Sequence, residues 1–296
     1  MRKRFISLLL VISVLVCLCA CSKKDANSTF SIQFIDVGQG DAALVECDGH
    51  YMLIEGGDTT AGDTVYNVLE ENGIQKLDIL AVSHPHSDHI GGLVKALTYA
   101  SSIGITISNT DYKDTEVFRK FEHQLQINGS KITVSAPGDT YKLGSATVEV
   151  VDSAAEDDND SLVLLITYGD TRFLFAGDIE DVAMSRVADK YQSKSDKPYK
   201  IDLLKVPHHG AKDNDLYEEN LSMYRFLRTF MPDYFVISVG ENNKYGHPHW
   251  HTMELIEQLV VNANGLKLDD HVFRTDLDGD IIVRSNGKEL SIETSR

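Results

Sequence analysis

The chain has 296 residues and a formal net charge of −17, with 42% apolar residues against 25% charged ones. That balance suits a folded globular body rather than a disordered chain. It excludes a grip on long nucleic acid by charge alone, because that grip comes from Lys and Arg neutralising phosphates.

Arg2, Lys3 and Arg4 precede an uncharged apolar run over 5–20, "FISLLLVISVLVCLCA". This is the pattern of an export signal, a little short for a comfortable membrane span. It ends in Leu18-Cys19-Ala20-Cys21, which resembles a bacterial lipobox. The resemblance implies cleavage before Cys21 and a diacylglycerol on its sulfur. The body would then be lipid-anchored to the cell membrane, on its extracytoplasmic face. A plain N-terminal anchor would leave the body on the same side. Residues 21–29 read as a polar tether. Of the four cysteines, Cys17 and Cys19 would be discarded and Cys21 lipidated, so Cys47 has no partner and the body folds without a disulfide. Residues 30–296 are expected to form one domain.

Along that body, short β-branched runs alternate with helical segments. Three strands joined by tight turns are expected over 30–38, 42–47 and 51–57. A helix is expected over 63–73, with Val65, Val68 and Leu69 at helical spacing and Gly73 as its stop. A buried strand at 77–83 leads to a helix over 91–100, and a second helix over 114–129 ends at Asn128-Gly129. Strands follow at 145–152, 161–169 and 171–177, the last two joined by a Gly169-Asp170 hairpin. Then come a helix near 179–191, a strand at 201–207, a helix near 215–229, a strand at 233–240, a helix near 250–263 and a terminal hairpin over 271–285. The acidic run "AAEDDND" at 154–160 reads as a solvated loop. Mixed strands and helices indicate a layered α/β or α+β domain.

Three of the eleven histidines fall within six positions, in "HPHSDH" at 84–89. Imidazole nitrogens and carboxylate oxygens are ligands that borderline and hard divalent ions accept. The cluster sits between a buried strand and a helix, where a turn can aim side chains into one cleft. His84 and His86 can converge on one ion, while Asp88 and His89 can aim at a second beside it.

H-x-H-x-D-H after a strand resembles the metallo-β-lactamase superfamily. "IDVGQGDA" (35–42), "NDSLVLLI" (159–166), "FAGD" (175–178), "LLKVPHHG" (203–210), "YGHPH" (245–249) and "VFRTDLDGDI" (272–281) resemble, in order, the hydrolase domain of ComEC-type DNA-uptake proteins. Without the long hydrophobic spans of the full channel protein, the chain looks like a stand-alone exported relative. The resemblance implies a metallo-β-lactamase-like αββα four-layer sandwich with two divalent metal ions, Zn or Mn, at one edge of its sheets. It implies Asp178 as the ligand bridging both metals, although Asp178-x-x-Asp181 also suits a helix N-cap. One of His208 and His209 would complete the ligand set of the second metal, with His208 favoured. The superfamily's usual third histidine for the first metal is replaced by Asn159-Asp160-Ser161, which leaves an oxygen of Asn159 or Asp160 as a further candidate. A poorer nitrogen set favours an oxygen-tolerant ion such as Mn²⁺. Glu55 stands where the superfamily has a bracing Asp, and Asp58 is available to share that task. Asp36 and Asp41 would lie near the site.

Two divalent ions acidify water and neutralise charge on a phosphoryl or acyl centre. Asp88 would orient the attacking group or take a proton, and His247 and His249, with Lys244 nearby in sequence, are candidates for assisting the leaving group. "DVGQGD" lacks the Gly-Lys-Ser/Thr of a phosphate loop and reads as a turn. The expected activity is that of a membrane-anchored extracellular phosphodiesterase or nuclease. Alternatives are a hydrolase of another envelope ester (a phosphocholine ester or a lactone) and a non-catalytic, metal-stabilised binding module. An antibiotic-degrading β-lactamase is the least supported, because the third histidine is missing.

Overall fold

The computed structural model describes residues 29–192, 199–212, 221–259 and 267–296. The expected export signal, Cys21 and nearly all of the expected tether lie outside them, as do parts of the helices expected near 215–229 and 250–263.

Among the described residues, two sheets stack face to face. The first has eight strands: β1 (Phe30–Phe34), β2 (Ala43–Cys47), β3 (His50–Ile54), β4 (Lys76–Val82), β5 (Ser102–Ser108), β6 (Ile132–Val134), β14 (Ile281–Ser285) and β15 (Leu290–Thr294), in the order β15-β14-β1-β2-β3-β4-β5-β6. The second has seven: β7 (Thr140–Leu143), β8 (Ala146–Asp152), β9 (Val163–Tyr168), β10 (Thr171–Phe175), β11 (Leu203–Lys205), β12 (Tyr234–Ile237) and β13 (Val272–Arg274), in the order β13-β12-β11-β10-β9-β8-β7. The helices are α1 (Gly62–Glu71), α2 (Ser87–Ile90), α3 (Leu93–Ala96), α4 (Glu116–Ile127), α5 (Asp181–Gln192), α6 (Leu221–Phe230), α7 (Trp250–Glu257) and α8 (Thr275–Asp278).

Period-two patterning builds the inner layer. In β1, Phe30, Ile32 and Phe34 are buried while Ser31 and Gln33 are only partly so. Phe30 stacks on Tyr168 and Phe173, and Phe34 on Phe175, tying the two sheets together across the core. Burying each such side chain stabilises the fold by about 1.5–3 kcal/mol. Leu53, Leu77 and Leu80 point to the other face of the first sheet, where Val65 and Leu69 of α1 and Phe121 of α4 cover them. Leu165, Leu174 and Leu204 do the same beyond the second sheet, under Met184 and Val187 of α5 and Phe226 of α6. The result is helices, sheet, sheet, helices, the four-layer order implied by the family resemblance.

Turn chemistry sets the local connections. Asp48 and Gly49 both take left-handed φ (56° and 80°), the two-residue turn that joins antiparallel strands. The Gly169-Asp170 hairpin joins β9 to β10 as expected. The terminal hairpin is a correction. Residues 272–274 add to the second sheet, parallel to β12, the chain then makes α8, and 281–285 cross to the first sheet beside β1. The real terminal hairpin is β14–β15. The helix expected over 91–100 is replaced by two single-turn helices, α2 and α3, because Gly91 and Gly92 pack against the backbone of Thr59 and Gly56.

Topology places the site. Neighbours β3, β4 and β5 run parallel in one sheet, and β10, β11, β12 and β13 run parallel in the other. Loops leaving the carboxyl ends of β4, β10, β11 and β12 carry the chemistry-bearing residues, the place where ligands bind in open α/β sheets. Among the described residues, no helix is long and apolar enough to cross a membrane.

Candidate metal centre

After β4 the chain bends through Ser83 to α2. The Ser83 amide donates to Glu55 Oε1 at 2.6 Å, which fixes the start of the turn. His84 is fully buried and its Nε2 lies 2.9 Å from Nδ1 of His86. Its other nitrogen, Nδ1, is 2.9 Å from Ser83 Oγ and 3.3 Å from Ser161 Oγ. Burial and the nearby His89 push His84 well below the usual imidazole range, and the same two causes lower His86. Two neutral rings therefore present nitrogens to each other at close range.

A second group assembles beside this pair. His89 Nε2 is 3.2 Å from Asp178 Oδ2. Asp178 follows β10, and its amide donates to Ser161 Oγ at 3.0 Å. His209 follows β11, with Nδ1 2.9 Å from the Ser238 carbonyl oxygen and Nε2 3.5 Å from both Asp88 Oδ2 and Asp178 Oδ2. One donor atom from each of Asp88, His89, Asp178 and His209 lies within 4.8 Å of the others. A ring nitrogen bonded to a backbone carbonyl fixes the tautomer that leaves the opposite nitrogen free to ligate.

The choice between the two adjacent histidines is made by the backbone. His208 and His209 both occupy the left-handed region, with φ of 48° and 54°. Such a conformation costs on the order of 1–3 kcal/mol for a residue with a side chain, and it clusters at functional sites. The double turn sends His209 inward and leaves His208 a quarter exposed, its Nδ1 3.1 Å from Glu180 Oε1 and its Nε2 3.9 Å from Asp178 Oδ2. It is His209, and not the favoured His208, that joins the four-residue group.

Electrostatics test whether this group suits a cation. Burial opposes charge on His89, but the Asp178 and Glu55 carboxylates outweigh it and raise the imidazole well above its usual range. Burial likewise opposes charge on His209, and Asp178, Asp41 and Asp88 overcome it, raising that ring to about 9. Burial alone would raise Asp178 and Asp88, yet the surrounding imidazoles bring both below the carboxylate norm. Packed carboxylates thus draw positive charge into the group. Among the described residues, Nε2 of His209 is buried without a hydrogen-bond partner. An orphaned nitrogen of this kind, facing carboxylate oxygens, fits a divalent ion.

The inner wall is made by residues the motif does not announce. Gly40, at φ 141°, packs so closely on α2 that a Cβ there would sit 2.4 Å from the Asp88 carbonyl oxygen. The Asp41 amide donates to that same carbonyl at 3.1 Å, so the "DVGQGD" turn buttresses the histidine motif. Asp41 Oδ1 is 3.3 Å from His209 Nδ1, and its Oδ2 pairs with the buried Lys205 ammonium. Glu55 Oε1 also lies 3.6 Å from His89 Nδ1, so Glu55 spans Ser83 and His89 as a brace.

Other expected residues lie elsewhere. Asp58 caps a short turn through the Thr60 amide and takes no part in the brace. Asp36 faces Arg296 and Gly38 rather than the group. The Asp160 carboxylate is committed to Arg186 and to the amides of Glu156 and Asp157, which removes it as a candidate ligand. Asn159 Nδ2 donates to Glu180 Oε1 at 2.8 Å, extending the Glu180–His208 contact. His247 is half-buried, with its ring centroid 5.7 Å from that of His208 and 6.2 Å from that of His209. Burial and those two imidazoles lower it to about 4. His249 caps α7, accepting from the His251 amide at 3.3 Å, and its ring lies against Trp250 and His251. Lys244 lies over the Tyr245 ring. Lys205 and Glu180 went unnoticed in the sequence, Lys205 inside an apolar strand and Glu180 in a helix start.

A family model described as the metallo-beta-lactamase superfamily matches residues 35–221. The chain belongs to that superfamily. Among curated proteins it is 26% identical over 283 residues to ComE operon protein 3 of Bacillus subtilis, covering 87% of this chain and 33% of the relative. It is 27% identical over 245 residues to competence protein ComA of Neisseria gonorrhoeae, covering 82% and 30%. The chain thus spans about a third of the length of these relatives, and the ComEC-type resemblance read from its motifs is the one they carry. Among solved structures, the metallo-beta-lactamase fold protein YhfI of Bacillus subtilis superposes with a TM-score of 0.55 at 12% identity, covering 86% of this chain and 100% of that one. CmlA, a diiron beta-hydroxylase from Streptomyces venezuelae, gives 0.51 at 14% identity, covering 87% and 54%. At such identities these structures speak for the fold alone. Fold and four-residue group together support a metal-dependent hydrolase.

Proposed function

We propose that the protein is a dinuclear metal-dependent phosphodiesterase or nuclease, held at the extracytoplasmic face of the cell membrane by a lipid on Cys21. The observation that carries this reading is the convergence of Asp88, His89, Asp178 and His209 within 4.8 Å. In it, His84 and His86 would hold one ion and Asp88, His89 and His209 the other, with Asp178 available to both. When bound, divalent cations of the Zn or Mn class acidify water and neutralise charge on a phosphodiester.

The chain's own residues prepare that chemistry. Ser83 and Ser161 hold His84 by Nδ1, so Nε2 faces the cleft. Glu55 and the Ser238 carbonyl do the same for His89 and His209 from behind. Asp88, at the partly exposed lip, stays ionised and can accept a proton from an attacking group. His247 is neutral near pH 7, which suits hydrogen bonding to a substrate or leaving-group oxygen more than acting as an imidazolium acid. Its turn is held by Asn243, whose Oδ1 accepts from the His247 amide at 3.0 Å. The resemblance to competence proteins supports nucleic acid as the substrate class.

One observation favours a second reading. Beside the centre runs a groove of about 340 Å³, lined by Glu156, Asp157, Asp160, Glu180 and Asp181 with Arg186. With the overall charge, that lining suits a small phosphodiester carrying a cation, such as a phosphocholine ester, better than a polyanion. The purified mature chain, stripped of metal and reloaded with Mn²⁺ or Zn²⁺, is assayed on bis(p-nitrophenyl) phosphate, plasmid DNA, a phosphocholine ester and a lactone. Metal-restored cleavage of the aryl diester and DNA is expected. Cleavage of the phosphocholine ester without DNA selects the second reading, and turnover of the lactone alone overturns both.

A further inference from the structure

Lys205 is out of place by composition. It ends β11, a central strand of the second sheet, registered between Phe175 and Val236, and Leu203 and Leu204 beside it are fully buried. Its side chain is 3% exposed. A charge taken out of water costs several kcal/mol unless it is well paired, and an apolar side chain would fill the place without that cost. What the ammonium touches explains its presence. It pairs with Asp41 Oδ2, donates to the Gly177 carbonyl at 3.4 Å and lies 3.9 Å from Asp178 Oδ1.

Those contacts divide two carboxylates into front and back. Asp178 turns Oδ2 to His89, His208 and His209, at 3.2, 3.9 and 3.5 Å, and Oδ1 to Lys205. Asp41 turns Oδ1 to His209 Nδ1 at 3.3 Å and Oδ2 to Lys205. Resting on the metal reading above, we propose that Lys205 is a positioning residue for the metal centre. It is a fixed internal cation that occupies the rear oxygen of Asp41 and faces that of Asp178, which keeps Asp178 to one oxygen at the front and Asp41 out of the ligand set. The ammonium then limits how much negative charge reaches bound metal. A centre with fewer anionic oxygens holds its ions less tightly but leaves them more electrophilic.

The test compares Lys205→Met with the unaltered chain, using Co²⁺ as the probe. Calorimetric titration gives affinity, and visible absorption reports coordination. Removing the ammonium is expected to tighten Co²⁺ binding by roughly tenfold or more, because one nearby positive charge is gone. The visible band should lose intensity as a freed carboxylate oxygen adds to the coordination shell. A variant with unchanged affinity and an unchanged spectrum, whatever its melting temperature, makes Lys205 a structural residue only and overturns the proposal. If Lys205→Met does not fold, the Asp41→Asn/Lys205→Met pair restores the charge balance. Its spectrum should still change through Asp178, and an unaltered spectrum overturns the proposal. An unaltered chain that binds no Co²⁺ instead overturns the metal reading itself, a failure seen before any variant is measured.

Discussion

The two halves of the centre are built in opposite ways. His84 and His86 are two residues apart, come from one turn and face each other as neutral rings with nitrogens 2.9 Å apart. Asp88, His89, Asp178 and His209 come from three loops, and the carboxylates around them raise both imidazoles in the metal-free chain. The first half is local, and the Ser161 hydroxyl beside it reaches His84 and accepts from the Asp178 amide. The second half depends on the two sheets being stacked in register. Assembly by tertiary structure is what makes it charged, buried and braced, with Asp41, Glu55 and Lys205 behind it.

That contrast breaks most sharply at Asp178. Asp178→Ala should cost more than the roughly 100-fold in metal affinity that loss of an outer partner costs, and abolish hydrolysis, because it removes the residue proposed to serve both halves. His86→Ala should empty only the local half, leaving about one ion per chain by elemental analysis where the proposed centre of the unaltered chain would hold two. Equal loss from both variants would mean that the halves are not separable.

Titration sharpens the same contrast. The folded state raises His209 from 6.5 to about 9, so in the metal-free chain its stabilisation is complete below about 6.5 and is lost as pH rises through 9. His89 shifts the same way. His84 and His86 shift downward, so their burial is harmless above about 6.5 and weakens the fold as pH falls below it. Melting of the chelated protein should therefore peak near pH 6.5 and decline toward 9. Added Mn²⁺ or Zn²⁺ should flatten the alkaline decline, since ligation needs deprotonated imidazoles. A profile that climbs steadily to pH 9 without metal would contradict the charge assigned to the second half.

The smallest effect separates two histidines of one motif. His249→Ala should lower stability by about 1 kcal/mol through the lost cap, with activity intact. His247→Ala should leave the melting temperature nearly unchanged and lower turnover by on the order of tenfold or more.

Legibility in the sequence followed locality. The H-x-H-x-D-H turn announced itself because its donors are adjacent. Asp178 was legible only through the family resemblance, since as a sequence it reads equally as a helix cap. Nothing in "PHHG" distinguishes His208 from His209, because consecutive left-handed residues, invisible in composition, decide which ring turns inward. Lys205 was masked by its apolar strand. The stretch 271–285 reads as two strands around Asp-Gly, yet the single turn of α8 lets those strands enter different sheets. β5, interrupted by Gly104 against the Asp78 backbone, gave too weak an alternation to be noticed.

The most direct measurement is anomalous scattering from crystals of the Mn²⁺- or Zn²⁺-loaded protein. The account predicts a peak bound by Asp88, His89, Asp178 and His209, with a neighbouring peak at His84 and His86. Anomalous density seated on His208 and Glu180, or none within the cleft, would contradict it.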